Sequence, residues 1–135
     1  MDADTYISRF GLVPQASDLP AIRKLIRSLT DDSERDGNET LKTLCIQLFS
    51  AADVADSLLI YGAKTSSFDA DCYIDVQLVC GAGLTSTLAW LAGNDEVKAV
   101  ELMKYLHQCI ASGDFEGFLP EEHLNFYRRY YGLTA

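Results

Sequence analysis

Apolar residues recur at three- and four-residue intervals along most of this chain, and the predicted elements follow from that period. Tyr6, Ile7 and Phe10 form the apolar side of a short helix over residues 2–10 that Gly11 ends. The Val13-Pro14 step then imposes an extended connection, because the proline ring disfavours helical backbone in the residue before it. Leu19, Ile22, Leu25, Ile26 and Leu29 define a helix over about 19–30, with Ser17 or Asp18 as cap and Pro20 where a first turn tolerates it. Its other face carries Arg23, Lys24 and Arg27, the densest basic cluster of the chain. Asp31, Asp32, Glu34 and Asp36 follow, so this cluster reads as a solvated, self-paired face rather than an anion site.

After the Asp36-Gly37-Asn38 punctuation, Leu41, Leu44, Cys45, Leu48 and Phe49 give a second long stripe. Ser50 and Asp53 have capping-box spacing, which predicts a kink or tight corner. Ala51, Val54, Ala55, Leu58 and Leu59 then continue, leaving Asp53 and Asp56 for the solvent side. Residues from about 70 to 80 have almost no polar side, which predicts a central helix stopped by Gly81 and Gly83. Leu84, Leu88 and Leu91 mark the next helix, closed by Gly93-Asn94. Val97, Val100, Met103, Leu106 and Ile110 make a core line up to Gly113, and Pro120 opens a terminal helix holding Leu124, Tyr127 and Tyr131. No clean period-two alternation competes with these readings.

The expectation is one all-α domain spanning 1–135, with about seven helices arranged as stacked helical hairpins or as an irregular bundle. Two hairpin-like stretches, 39–64 and 70–111, resemble the helical pairs of HEAT and armadillo arrays, in which about forty residues make one unit. A second resemblance rests on Ala63-Lys64-Thr65-Ser66-Ser67-Phe68-Asp69, Ile74-Asp75-x-Gln77-Leu78 and Cys80-Gly81-Ala82-Gly83-Leu84. That string is similar to one in small uncharacterised bacterial proteins; the likeness implies a bacterial, cytoplasmic, helical protein and brings no activity with it.

Charge narrows the partners. Twenty acidic residues against eleven Lys plus Arg give a formal net charge of −9, which repels nucleic acid and anionic membrane and attracts basic partners. The start Met1-Asp2-Ala3-Asp4 lacks the pattern of a signal peptide, and no run of about 18 apolar residues occurs, so a cytoplasmic location is expected. Cys45, Cys72, Cys80 and Cys109 form no CxxC pair and lie in apolar helical patterns, which predicts buried reduced thiols.

Candidate chemistry concentrates at the polar knot that interrupts the apolar run at residues 64–71. Asp69, Asp71 and Asp75 are spaced as in a calcium loop, but an EF-hand needs an oxygen ligand at Tyr73, glycine at Ile74 and a carboxylate at Cys80. No metal or cofactor is therefore expected, and Asp69 and Asp71 read as helix-start carboxylates. Asp75 sits in otherwise apolar sequence and needs a donor if buried: the hydroxyls or amides of the knot, Lys64, or an arginine of the terminal helix. As a functional alternative, Lys64, Thr65, Ser66, Ser67 and Asp75 would form a small polar ligand pocket. No activated nucleophile accompanies it, since His107 and His123 sit on amphipathic helices. Near the end, Phe126, Tyr127, Tyr130 and Tyr131 flank Arg128 and Arg129, a composition suited to core closure or to an interface in which Tyr127, Arg128 and Tyr131 take part.

Two functional expectations result. The first is a non-enzymatic interaction protein, of immunity or antitoxin type, whose acidic face engages a basic protein. The second is a small-molecule binder or enzyme at the knot, favoured if one concave pocket contains both Lys64 and Asp75.

Overall fold

The computed structural model describes residues 2–32 and 37–133. Among them every regular element is helical: α1 (Ala3–Phe10), α2 (Leu19–Asp31), α3 (Glu39–Ser50), α4 (Ser57–Lys64), α5 (Phe68–Tyr73), α6 (Leu84–Ala92), α7 (Val97–Ala111) and α8 (Pro120–Tyr130), with 3-10 turns at 16–18, 54–56 and 76–80. The all-α expectation holds, and no described helix is long and apolar enough to cross a membrane.

The centre of the molecule is α3 rather than the segment at 70–80. Leu41 and every residue from Thr43 to Phe49 are buried, because α1, α2, α8 and the 76–80 turn surround this helix. Its buried polar residues have tasks. The Gln47 side-chain amide donates to the carbonyls of Tyr6 (3.0 Å) and Gly11 (2.9 Å), tying the end of α1 to α3. Helix α3 packs far more extensively on α1 and α2 than on α4, so the stretch 39–64 does not close as a pair of its own, whereas α6 and α7 do pack together.

The corner after α3 is real. Ala52 takes a left-handed φ of 58°, and Asp53 accepts the Ala55 amide at 3.0 Å. Asp56, expected on a solvated face, is instead buried. Its two carboxylate oxygens accept from Arg23 Nε and Nη2 of α2 at 2.9 and 3.0 Å, a bidentate geometry that locks α2 to the start of α4. The hydrogen bond to Asp56 also raises the Arg23 pKa further. The solvated-face reading thus fails for Arg23 but fits the exposed Lys24 and Arg27; Glu34 and Asp36 lie outside the described residues.

The segment 70–80 is not one helix. Helix α5 stops at Tyr73, Ile74 and Asp75 are extended (ψ 113° and 142°), and Val76–Cys80 forms a 3-10 turn. Lys64 explains the break: its Nζ takes the carbonyls of Asp71 (2.7 Å) and Ile74 (2.5 Å), which a continuous helix would have offered to the amides of residues 75 and 78. The break also lets Ile74, Val76, Leu78, Val79 and Cys80 all point inward while Asp71, Cys72 and Tyr73 stay exposed. Just beyond, Gly81 lies so close to α3 that a Cβ there would stand 2.5 Å from the Phe49 carbonyl oxygen.

Helix α7 buries Ala99, Leu102, Leu106 and Cys109; Leu106 belongs to the expected line, whereas Met103 is partly buried and Val97, Val100 and Ile110 are exposed. Two neighbouring rows share the three-and-four spacing. Close approach of α4 and α6 selects the one that begins with the small Ala99.

Candidate functional site

The knot is made of local caps. Ser67 accepts the Ala70 amide at 3.0 Å and starts α5, while Thr65 and Ser66 donate to the carbonyls of Tyr61 (2.9 Å) and Ala63 (2.6 Å) at the end of α4. Asp69 and Asp71 are exposed in the first turn of α5, and Asp71 Oδ1 lies 3.3 Å from Lys64 Nζ. The Lys64 side chain is buried, and its ammonium is directed at these oxygens. Three oxygens for three N–H donors satisfy it within the chain.

Asp75 turns the other way, toward α8. Tyr127 donates its phenol proton to Asp75 Oδ2, and His123 Nε2 lies 3.2 Å from the same oxygen. None of the donors expected for Asp75, the knot, Lys64 or an α8 arginine, holds it. The spacing of His123 and Tyr127 puts both on one face of α8, and this i, i+4 relation is the signal that the sequence carries for His123. Burial pulls the Asp75 carboxyl upward, but the hydrogen bonds from His123 and Tyr127 and the charge of Lys42 outweigh it and hold its pKa below the ordinary value. Burial and the bond to Asp75 push the Tyr127 phenol up, so it stays protonated as a donor at neutral pH. With Nε2–H facing a carboxylate, a neutral His123 carries its acceptor on Nδ1.

Asp75 opens into a cleft of about 710 Å³ between α8, the loop at 114–119, Lys42 of α3 and Tyr105 of α7. Lys64 also lines it; Thr65, Ser66 and Ser67 do not. The aromatic side chains of the last helix divide. Tyr127 is buried, and Tyr131 reaches α3 through a 2.6 Å hydrogen bond with Thr43, whereas Phe126 and Tyr130 are half exposed at the cleft. Arg128 bonds Asn125 on its own helix. Tyr127 and Tyr131 therefore close the core, and Arg128 stands outside the cleft lining. His123 makes ring contacts with Phe49, Phe118, Phe126 and Tyr127 at 5.4–6.2 Å between centroids, so an aromatic wall fixes the imidazole against Asp75.

Chemically, the Asp75, His123 and Tyr127 group is a clamp on α8 whose members satisfy one another. The cleft offers beside it aromatic faces, the Lys42 ammonium and the carboxylates of Asp114, Glu116 and Glu122. No protein-family model matches the chain, and neither curated proteins nor solved structures give a match.

Proposed function

We propose that this chain is a non-enzymatic interaction protein that engages a basic protein partner, in the manner of an immunity or antitoxin protein. What supports the reading is the acidic excess, twenty Asp plus Glu against eleven Lys plus Arg. Arg23 and Lys64 are committed to internal oxygens and Asp56 and Asp75 to internal donors, so these charges offset one another, while Asp69, Glu101, Glu116, Glu121 and Glu122 are exposed. The net charge of −9 is therefore carried mainly by the surface, where it raises the rate and strength of encounter with a cationic protein. Calorimetric titration with hexalysine tests this. Binding at low ionic strength that weakens steeply by about 0.3 M salt is expected, since such charges are screened beyond a few ångströms there. No binding at low salt, or equal binding of hexaglutamate, would remove the reading.

A second reading, a small-molecule binder, is favoured by one observation: Lys64 and Asp75 line the same cleft. Because the donors of Lys64 are used within the chain, the groups left for such a ligand are the aromatic wall, Lys42 and the rim carboxylates. An organic ligand that raises the melting temperature of the wild type but not of Phe126→Ala would establish it.

A further inference from the structure

We infer that the cleft beside α8 is a cation site, which seats an ammonium or guanidinium group from a basic segment of the partner; this rests on the interaction reading above. The aromatic rings already hold one cation. Lys42 Nζ lies over the faces of Tyr127 and Tyr130, 5.3 and 5.1 Å from their centroids, within the range where a ring quadrupole attracts an ammonium. Phe126 and Tyr130, half exposed at the same opening, leave ring surface for a second cation and for the alkyl stem that carries it.

Charge selects the sign of the occupant. Asp75, Asp114, Glu116 and Glu122 line the cleft against Lys42 and Lys64. Lys64 is turned onto backbone carbonyls and Asp71, and Asp75 already accepts from His123 and Tyr127. The other charged groups lining the cleft are the carboxylates of Asp114, Glu116 and Glu122 and the Lys42 ammonium. An anionic ligand would meet those carboxylates, whereas a cationic one gains from them and from the rings together. The volume of about 710 Å³ is within the ordinary range for a ligand site of roughly 300–1,000 Å³. A Lys or Arg side chain fills only part of it, which leaves room for its neighbours in a basic segment. Lys42 is then a resident competitor, repelling the incoming charge from the rings it shares.

The test is titration of isotope-labelled protein with hexalysine and, separately, with tetramethylammonium, followed by heteronuclear NMR. Shifts concentrated at His123, Phe126, Tyr130 and Glu122 are expected. Lys42→Met should tighten hexalysine binding about three-fold by removing one like charge, and Glu122→Gln should weaken it by a similar factor. Phe126→Ala should weaken it about five-fold or more. The same spectra report whether each variant keeps its fold, and Lys42 and Glu122 lie outside the buried core. Hexalysine that binds with shifts elsewhere and is indifferent to Phe126→Ala overturns the cleft as the site, while the basic-partner reading stands. Tetramethylammonium shifting the cleft while hexalysine binds nowhere supports the cation site and overturns the partner reading. Weaker hexalysine binding by Lys42→Met overturns the competitor role and with it the proposed seat.

Discussion

Asp75→Ala is the sharpest perturbation of the scaffold, because it removes one acceptor shared by two donors of α8. Tyr127 is 1% exposed, so its phenol proton would lose its partner where water has little access. An orphaned buried donor costs about 1–3 kcal/mol. The His123 side chain is 20% exposed, and water can replace part of what it loses, so its contribution is smaller. Relief from desolvating a carboxylate offsets some of the total, which leaves about 2 kcal/mol, a large share of the roughly 5–15 kcal/mol that holds a domain folded. With an unfolding entropy of about 2.1 cal/mol/K per residue over 135 residues, that loss lowers the melting temperature by about 7 °C. Urea melts compared at constant slope measure it. Combining Asp75→Ala with Tyr127→Phe should recover at least about 1 kcal/mol relative to additivity, because the second change deletes the donor that the first one orphans. The pH dependence has a definite sign. Asp75 is held below its ordinary pKa, so its stabilisation is present above the unfolded value of about 3.9 and is lost as pH falls through the lower folded value. The gap between wild type and Asp75→Ala should therefore be open at neutral pH and close in acid below about pH 4. A variant that melts with the wild type at neutral pH, or a strictly additive cycle, would refute the clamp.

Asp56→Ala should destabilise by about 2 kcal/mol in the same melts, because it strips a bidentate partner from the partly buried Arg23; exposed Asp53→Ala, losing a turn cap and a 3.6 Å ion pair, should cost under about 1 kcal/mol. Equal effects would mean that the Arg23 pair contributes nothing net. Among the thiols, Cys72 is exposed, contrary to its apolar pattern, and should label quickly with a maleimide in the native protein. Cys45 and Cys80, buried and pushed by desolvation to about 12, and buried Cys109, raised for the same reason first, should label only after denaturation, so mass spectrometry should count one adduct before unfolding and four after.

Helical period and punctuation are properties of neighbouring residues, and at that range the sequence was informative. It located the helices around Tyr6 and Phe10, around Ile22 and Ile26, and around Leu44 and Leu48, together with the corner at Ala51–Asp53. It failed where two local solutions were equally good. Val97, Val100 and Met103 on one side and Ala99 and Leu102 on the other both lead to Leu106 at helical spacing, and only the close neighbours of α7 choose between them. Asp53 and Asp56 look equivalent along the chain, yet Arg23, far away in sequence, reaches one with two hydrogen bonds.

The same division separates the candidate site from the fold. That Asp75 needs a donor followed from its apolar setting, since a buried carboxylate left unpaired is costly. Which donor it finds did not follow, because His123 and Tyr127 lie about fifty residues away and meet it only when α8 docks against α3. Lys64 was legible as a candidate and illegible in its role. Its ammonium is buried against the carbonyls of Asp71 and Ile74, beyond the reach of one helical turn, and those bonds replace the helix that a run of apolar residues would otherwise have continued. The sequence by itself determined an all-helical chain with an acidic excess, because both depend on residue type and spacing. The cleft, its charge balance and the broken segment that presents Asp75 were decided by tertiary structure, where the cost of leaving a buried charge such as Lys64 or Asp75 unpaired outweighs local propensity.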